Sequence, residues 1–417
     1  MKQLCLNVAA MRQADIVIAG AGLAGSTAAA MLSRAGYDVL LVDPHTTYPP
    51  DFRCEKLDQS QIEILKKTGL DDAVLSVATP NLNLWVARFG HLVDKLDGAQ
   101  CGIRYENLVN AIRAEVPADK FIAAKVTSVA TSADRQSVTL STGQEISARL
   151  IVLANGLNIG LRHKLGIERK IESPVHSISI GFDLKPTDKP AFDFSALTYY
   201  PEASTERMAY LTLFPIGNTT RANLFVYREM SDPWLSQFRD APKQTMLDMI
   251  PNLQNLTGAF DVEGFVKIRP VDLYVSEGHR QPGVVLVGDA FATSCPAAGT
   301  GAGKALMDVE RLCNLHIPQW LATPGMGTDK IAAFYDDPIK TAYDAASTKK
   351  AYTLKSFSID TGLYWTAERW GKFVLHWLKG ALRRPAPAKM IDAPALVPEQ
   401  GTHPADAYTP ARARHTV

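Results

Sequence analysis

Cysteine is scarce in this chain of 417 residues. Cys5, Cys54, Cys101, Cys295 and Cys313 are odd in number, widely spaced and form no CxxC pair. A disulfide scaffold and a cysteine zinc site are thereby excluded, no metal site is expected, and a reducing, cytoplasmic setting is the expectation. A surplus of charge is missing too: 44 basic side chains face 43 acidic ones, for a net charge of +1. Neither nucleic acid nor an anionic membrane is therefore expected as the main partner. No apolar run reaches the roughly 18 to 20 residues that span a bilayer. Met1–Ala10 is a short apolar stretch with one Lys. As a signal peptide it fails, because cleavage would fall close to a strand expected at Asp15–Ala19, and Met11 is an alternative start. Internal repeats are absent. What is present, 46% hydrophobic and 21% charged residues over this length, suits two interlocked domains and a tail.

Residues 14–43 read as strand, tight turn, helix and strand: Ala14–Ala19, Ser26–Arg34 ending at Gly36, and Val39–Val42. Further helices are predicted at Asp58–Thr68 and at Tyr105–Val116, which Pro117 stops. Leu82–Val86 and Gly90–Leu96 read as a strand pair turning at Phe89-Gly90. Residues 121–129, 137–140 and 145–153 alternate as strands. The stretch 173–275 is rich in Thr, Tyr, Phe and Pro, with a helix-like insert at 231–250, and reads as a separate antiparallel sheet. Val284–Val287 returns as a buried parallel strand, with helices from Gly299 onward. The tail beyond Arg384 is Pro- and Ala-rich and is expected to be disordered.

Gly20-Ala-Gly22-Leu-Ala24-Gly25 directly follows a strand and opens a helix. Gly20 permits the tight turn, Gly22 lets the backbone approach a pyrophosphate, and Gly25 lets the helix pack on the strand. Asp43 closes the second strand, 18 residues after Gly25, where a carboxylate accepts hydrogen bonds from ribose hydroxyls. This constellation binds a dinucleotide without separating FAD from NAD.

Three segments carry a resemblance to a known family. Arg53-Cys-Glu-Lys-Leu57 through Leu65 to Gly69-Leu70 is similar to the "RxxxLxxxxxxxLxxxGL" segment of the FAD-dependent aromatic hydroxylases, the group that includes para-hydroxybenzoate hydroxylase. Asn155-Gly156 through Arg162 to Gly166-Ile167 resembles the family's "ADGxxSxxRxxLGI", with Asn155 and Ile159 replacing aspartate and serine. Gly288-Asp289-Ala290 through Pro296 to Gly299-Thr300-Gly301-Ala302 resembles "GDAxHxxxPxxGxGxN", with Ala292 and Lys304 replacing histidine and asparagine. The resemblance implies FAD as cofactor, with Arg53 beside the flavin and its phosphates, and Asn155 and Gly156 at the flavin and the reduced nicotinamide. Asp289 would hold the ribityl chain and Pro296 would lie near the isoalloxazine. The helix start Gly299–Ala302 would face the flavin edge that turns negative on reduction.

The implied fold is α/β: a Rossmann-like FAD-binding domain (11–79, 98–172, 276–345) interleaved with a mainly antiparallel β-sheet substrate domain (80–97, 173–275). C-terminal helices follow at 346–384 and a disordered tail at 385–417. The implied activity is a monooxygenase that uses O2 and NAD(P)H and inserts one oxygen atom, through a flavin C4a-hydroperoxide, into a small electron-rich organic substrate. The alternatives are a reductase or dehydrogenase of the geranylgeranyl-reductase or halogenase branch, and reduction by a separate flavin reductase. The halogenase "WxWxIP" signature is absent. No catalytic acid or base stands out. Substrate-lining candidates on the sheet are His176, Tyr199, Tyr200, Arg221, Tyr227 and Arg269. Trp370, Phe373 and Trp377 mark one helical face, read as packing over the FAD domain or, alternatively, as meeting a membrane surface or a partner.

Overall fold

The computed structural model of the chain describes residues 11–382; Met1–Ala10 and residues 383–417, with the expected tail at 385–417, lie outside the described residues. Apolar runs build a seven-stranded sheet. Arg12–Ala19 lies at its centre, parallel to Val39–Asp43 on one side and to Glu145–Leu153 on the other. Successive side chains of the central strand enter different cores, Ile16 and Ile18 on one face, Val17 and Ala19 on the other. Burial on both faces is why the strand reads as a continuous apolar run.

Strand Glu145–Leu153 takes two partners. Its first half pairs antiparallel with Gln136–Leu140, and its last three residues pair in parallel with Val284–Leu286. In register, Ala19 stands opposite Val42 and Leu153, and Leu153 opposite Leu286. Four parallel strands therefore end level. The residues that follow them (Gly20, Asp43, Ala154 and Val287) emerge along one edge, the edge at which open parallel sheets hold their ligands.

Helix α1 (Leu23–Arg34) packs Ala28, Ala29 and Ala30 without exposure. Helix α2 (Gln59–Thr68) starts with a reciprocal cap: Gln61 N donates to Asp58 at 3.0 Å and Asp58 N donates to the Gln61 side chain at 3.0 Å. Helix α3 (Gly301–Arg311) follows the second glycine turn, and α4 (Pro338–Ile359) and α5 (Leu363–Leu382) close the described chain.

The second sheet has eight strands, with order Phe260–Glu277, Glu168–Pro186, Thr219–Val226, Met208–Ile216, Ala196–Tyr199, Thr79–Arg88, His91–Gly102 and Lys56–Leu57. All neighbours are antiparallel except Ala196–Tyr199 against Thr79–Arg88. One face is covered by helices Pro233–Asp240 and Pro242–Met249 over a core that includes Phe182, Leu211 and Phe238. The other face turns toward the glycine segments.

One expected strand divides. Phe121–Ala123 pairs with Val39–Asp43, whereas Val126–Ala130 pairs with Gln136–Leu140, so the chain changes partners across Ala124-Lys125. The C-terminal aromatic helix also packs elsewhere than over the first sheet. Trp370 stacks on Phe89 at 5.7 Å and Phe373 meets the same ring edge-on, so α5 rests on the hairpin tip of the second sheet. Phe89 (φ 55°) and Gly90 (φ 69°) form that tip.

Candidate functional site

The first glycine turn is shaped by close approach and by an opening. A Cβ on Gly20 would lie 2.7 Å from Ala154 O, and one on Gly25 would lie 1.8 Å from Gly20 O. At Gly22 the nearest atom would be 4.0 Å away, on the Tyr48 ring, so this glycine fronts open space. The N-terminus of α1 carries no side-chain cap, and its leading N–H groups present partial positive charge to that space. Ala24 packs toward Gly288 of the third segment. Asp43 is held in place, accepting from Ala21 N and His45 N at 2.9 Å each, with Arg113 at 3.4 Å.

Arg53 joins two segments far apart in sequence. Its Nη1 donates to Asp289 Oδ2 at 2.9 Å and its Nε to Asp51 Oδ2 at 2.5 Å. Arg269, from the second sheet, donates to Asp51 Oδ1 at 3.0 Å and to Phe52 O at 2.7 Å. Burial opposes ionisation of Asp51, but Arg53 and Arg269 outweigh it and hold the carboxyl below the usual range.

The second glycine turn is anchored from behind. Gly288 (φ 59°) donates its N–H to Asp308 Oδ2 at 2.9 Å, and Asp308 Oδ1 pairs with Lys340 of α4 at 3.0 Å; both side chains are buried. Gln61 donates to Gly299 O at 2.7 Å, and the Thr300 and Ser347 hydroxyls meet at 2.6 Å. Gly299 faces nothing within 4 Å and the nearest atom to a Cβ on Gly301 would be 3.9 Å away, while Ala302 is buried behind them. The N-terminus of α3 has no side-chain cap either. Two uncapped helix starts thus flank one opening. Lys304 points away from it, donating to Ala292 O at 3.1 Å and pairing with Asp344 at 3.4 Å.

The middle segment serves as a scaffold. Arg162 is fully buried; its Nη1 donates to Ala290 O at 2.6 Å and Ser276 Oγ at 3.2 Å, its Nη2 to Gly156 O and Asn158 O at 3.1 Å. One guanidinium staples the loop after Glu145–Leu153 to the Gly288–Ala290 turn. Asn155 donates to Asn158 O at 3.0 Å, while its Oδ1 is buried and has no partner among the described residues.

The substrate-lining candidates separate. Tyr199 is corrected: it stands opposite Leu211 and belongs to the core on the far face, its hydroxyl bonded to Glu202 and Gly90 N at 2.8 and 2.7 Å. Tyr200, its neighbour, faces the other way toward Tyr210. Arg221 is buried and paired with Asp183 at 3.0 Å and Glu55 at 3.6 Å, and Arg269 belongs to the Asp51 cluster. Tyr227 lies in the small core beside Cys295 and Ala297. His176 is buried between Tyr227 and Tyr352, with Nδ1 3.0 Å from Ser173 Oγ. Burial, aided by Lys355, pushes its imidazole down to about 4.

Register brings out residues that the sequence did not signal. Gly181, Asn223 and Thr212 stand abreast on three neighbouring strands, with Ser179, Phe225 and Tyr210 abreast in the next row on the same face. That face is bracketed at both ends. Phe52 covers Gly181, where a Cβ would meet its ring at 2.3 Å. At the other end Tyr210 donates to Ala297 O at 2.6 Å, next to Pro296, and Ser177 Oγ lies 3.5 Å from Cys295 Sγ. The hydroxyls of Ser179 and Thr212 are buried without a partner among the described residues. Asn223 turns its amide nitrogen to Glu55 at 3.2 Å. Burial raises the pKa of Glu55 above the carboxylate range.

Comparison with known proteins agrees with this geometry. A family model described as FAD binding domain matches residues 13–316. The chain is 28% identical to a menaquinone reductase of Mycobacterium tuberculosis over 49% of this chain and 53% of that protein, so it spans about half of that relative's length. It is 25% identical to the 3-demethoxyubiquinol 3-hydroxylase of Escherichia coli over 72% of this chain and 79% of that protein. In fold it is similar to the p-nitrophenol 4-monooxygenase PnpA of Pseudomonas putida, with TM-score 0.70 at 15% identity, covering 89% of this chain and 95% of that one.

Proposed function

The chain belongs to the FAD binding domain family, and from that premise we propose that it is a monooxygenase inserting one atom of O2 into a small, electron-rich ring. FAD is its cofactor, and when reduced by NAD(P)H it supplies the oxygen-activating chemistry. The turn at Gly20, Gly22, Ala24 and Gly25, with the uncapped start of α1, receives the diphosphate. Asp43 takes the ribose hydroxyls, Arg53 adds positive charge at the phosphates, and Asp289 takes further hydroxyls. The backbone N–H groups of Thr300, Gly301 and Ala302 stabilise negative charge at the ring edge. Asn155, whose backbone lies against Gly20, and Gly156 would line the cofactor beside the first glycine turn. The domain division expected from the sequence, with 80–97 and 173–275 as the substrate domain, is part of this reading.

The observation that carries the substrate side is the pair of unpartnered buried hydroxyls on the bracketed sheet face. A buried hydroxyl without a partner costs about 1–3 kcal/mol, a cost relieved when a ligand's oxygen or N–H arrives. Arg221 is already committed to Asp183 and Glu55 and Arg269 to Asp51, while Lys267 stands abreast of Gly181 in the same row. Tyr210 and Phe225 supply ring contacts. A phenol or quinol-type ring fits this chemistry, and Pro296, next to the Ala297 carbonyl that Tyr210 holds, would lie at the boundary between that face and the flavin.

Turnover under labelled oxygen tests the reading. With FAD-loaded protein and a panel of phenols and quinols, NAD(P)H consumption should require both substrate and O2, with one label in the product. Reduction of substrate without label would favour a reductase, the reading that the likeness to a menaquinone reductase supports. Flavin reduced only by an added flavin reductase would transfer the reductant to a second protein.

A further inference from the structure

Helix α5 presents an apolar face that stays largely exposed among the described residues, with one ring face of Trp370 stacked on Phe89. Leu363, Tyr364, Trp370, Val374, Trp377 and Leu378 are each 46% exposed or more. At 3.6 residues per turn they fall, with Leu375, on an arc of about 160°. The opposite side holds the helix to the protein. Arg369 donates to Phe357 O and Asp360 O at 2.8 Å each, and Phe373 packs on Phe89. The helix is thus fixed through Arg369, Phe373 and one ring face of Trp370, with the rest of its apolar arc outward, the reverse of ordinary packing.

We propose that this face docks the protein on an anionic lipid bilayer, with α5 lying in the plane of the headgroups. Charge complementarity selects the occupant. With Arg369 spent on the protein and Lys372 paired with Glu368 at 3.0 Å, residues 363–384 keep Lys379, Arg383 and Arg384 as a basic surplus with no further acidic residue, in a chain whose net charge is only +1. Tyr364, Trp370 and Trp377 are the ring types that settle at a membrane–water boundary. No helix among the described residues is long and apolar enough to cross a membrane, so α5 lies on the surface. Anionic lipid adds attraction of about 1 kcal/mol per basic residue near the headgroups. The inference goes beyond the proposed reaction and does not depend on it.

Vesicle flotation of the FAD-loaded full chain tests it without any turnover. Wild type should float with phosphatidylethanolamine–phosphatidylglycerol vesicles, remain behind with phosphatidylcholine vesicles, and release as salt is raised. The double variant Leu375→Glu/Leu378→Glu should lose about tenfold or more of the bound fraction, with flavin content and melting temperature unchanged. Wild type that floats with neither vesicle, or with both equally, overturns the proposal, as does a variant that floats like wild type. A wild-type dimer on gel filtration that the variant converts to monomer, without vesicle binding, would assign the face to a second copy instead.

Discussion

Replacing Arg162 with Met keeps most of the side chain's bulk and removes its five hydrogen bonds. Three of them end on backbone carbonyls, at 2.6, 3.1 and 3.1 Å. Hydrogen bonds from a charged donor contribute roughly 1.5–3 kcal/mol each, so these three alone amount to a gross loss of about 5–9 kcal/mol. Two terms offset it. Taking a guanidinium out of water without a carboxylate partner costs several kcal/mol in the wild type. Two of the abandoned carbonyls also keep other donors, Ala290 O from Ser276 at 2.8 Å and Asn158 O from Asn155 at 3.0 Å. A net destabilisation of about 2–4 kcal/mol remains. Because the staple joins the 156–158 loop to the Gly288–Ala290 turn, the FAD-to-protein ratio should fall along with stability. Urea unfolding monitored by far-ultraviolet dichroism, with visible absorbance on the purified variant, measures both. Stability within about 0.5 kcal/mol of wild type and full flavin content would refute the stapling role.

Other substitutions separate packing from binding. Ser179→Ala and Thr212→Val remove hydroxyls that lack partners; each should leave the flavin-loaded protein as stable or more stable by about 1 kcal/mol while raising KM for the ring substrate about tenfold. Unchanged KM in both would remove that sheet face from substrate binding. Gly25→Ala puts a Cβ 1.8 Å from Gly20 O, backbone that cannot step aside, so flavin loading in a reconstitution titration should collapse. His176 has a folded pKa depressed to about 4, below the unfolded value near 6.5. Its contribution to stability is therefore present above about pH 6.5 and lost as pH falls toward 4, a few kcal/mol at most; unfolding at a series of pH values should show that slope, and His176→Gln should flatten it.

What the sequence disclosed follows from locality. The first glycine turn, its flanking strands and Asp43 lie within thirty consecutive residues, and each piece has its own signature. The segments at Arg53, Gly288 and Gly299 were legible as motifs, but their partners were not: Gln61 on Gly299 O and Lys340 on Asp308 are contacts across 238 and 32 positions of sequence. The face of a strand was harder still. In a sheet buried on both sides, alternation of polar and apolar residues fades, and a one-residue choice sends the side chain to the other face. Tyr199 and Tyr200 read alike, yet only Tyr200 looks toward the glycine segments. Ser179, Thr212 and Asn223 are small polar residues scattered over three strands, and register alone sets them side by side.

The chain of charges from Arg269 through Asp51 and Arg53 to Asp289 has a consequence for ligand selectivity. Two cations stand against two anions, so the cluster is already neutral. A bare phosphate that draws on Arg53 would leave Asp289 uncompensated, and the exchange would gain little. A ligand that brings its anion together with neighbouring hydroxyl donors can relieve both ends at once, neutralising the guanidinium and satisfying the carboxylate. Such a cluster would favour, over inorganic phosphate, a molecule in which diphosphate and polyol are covalently adjacent.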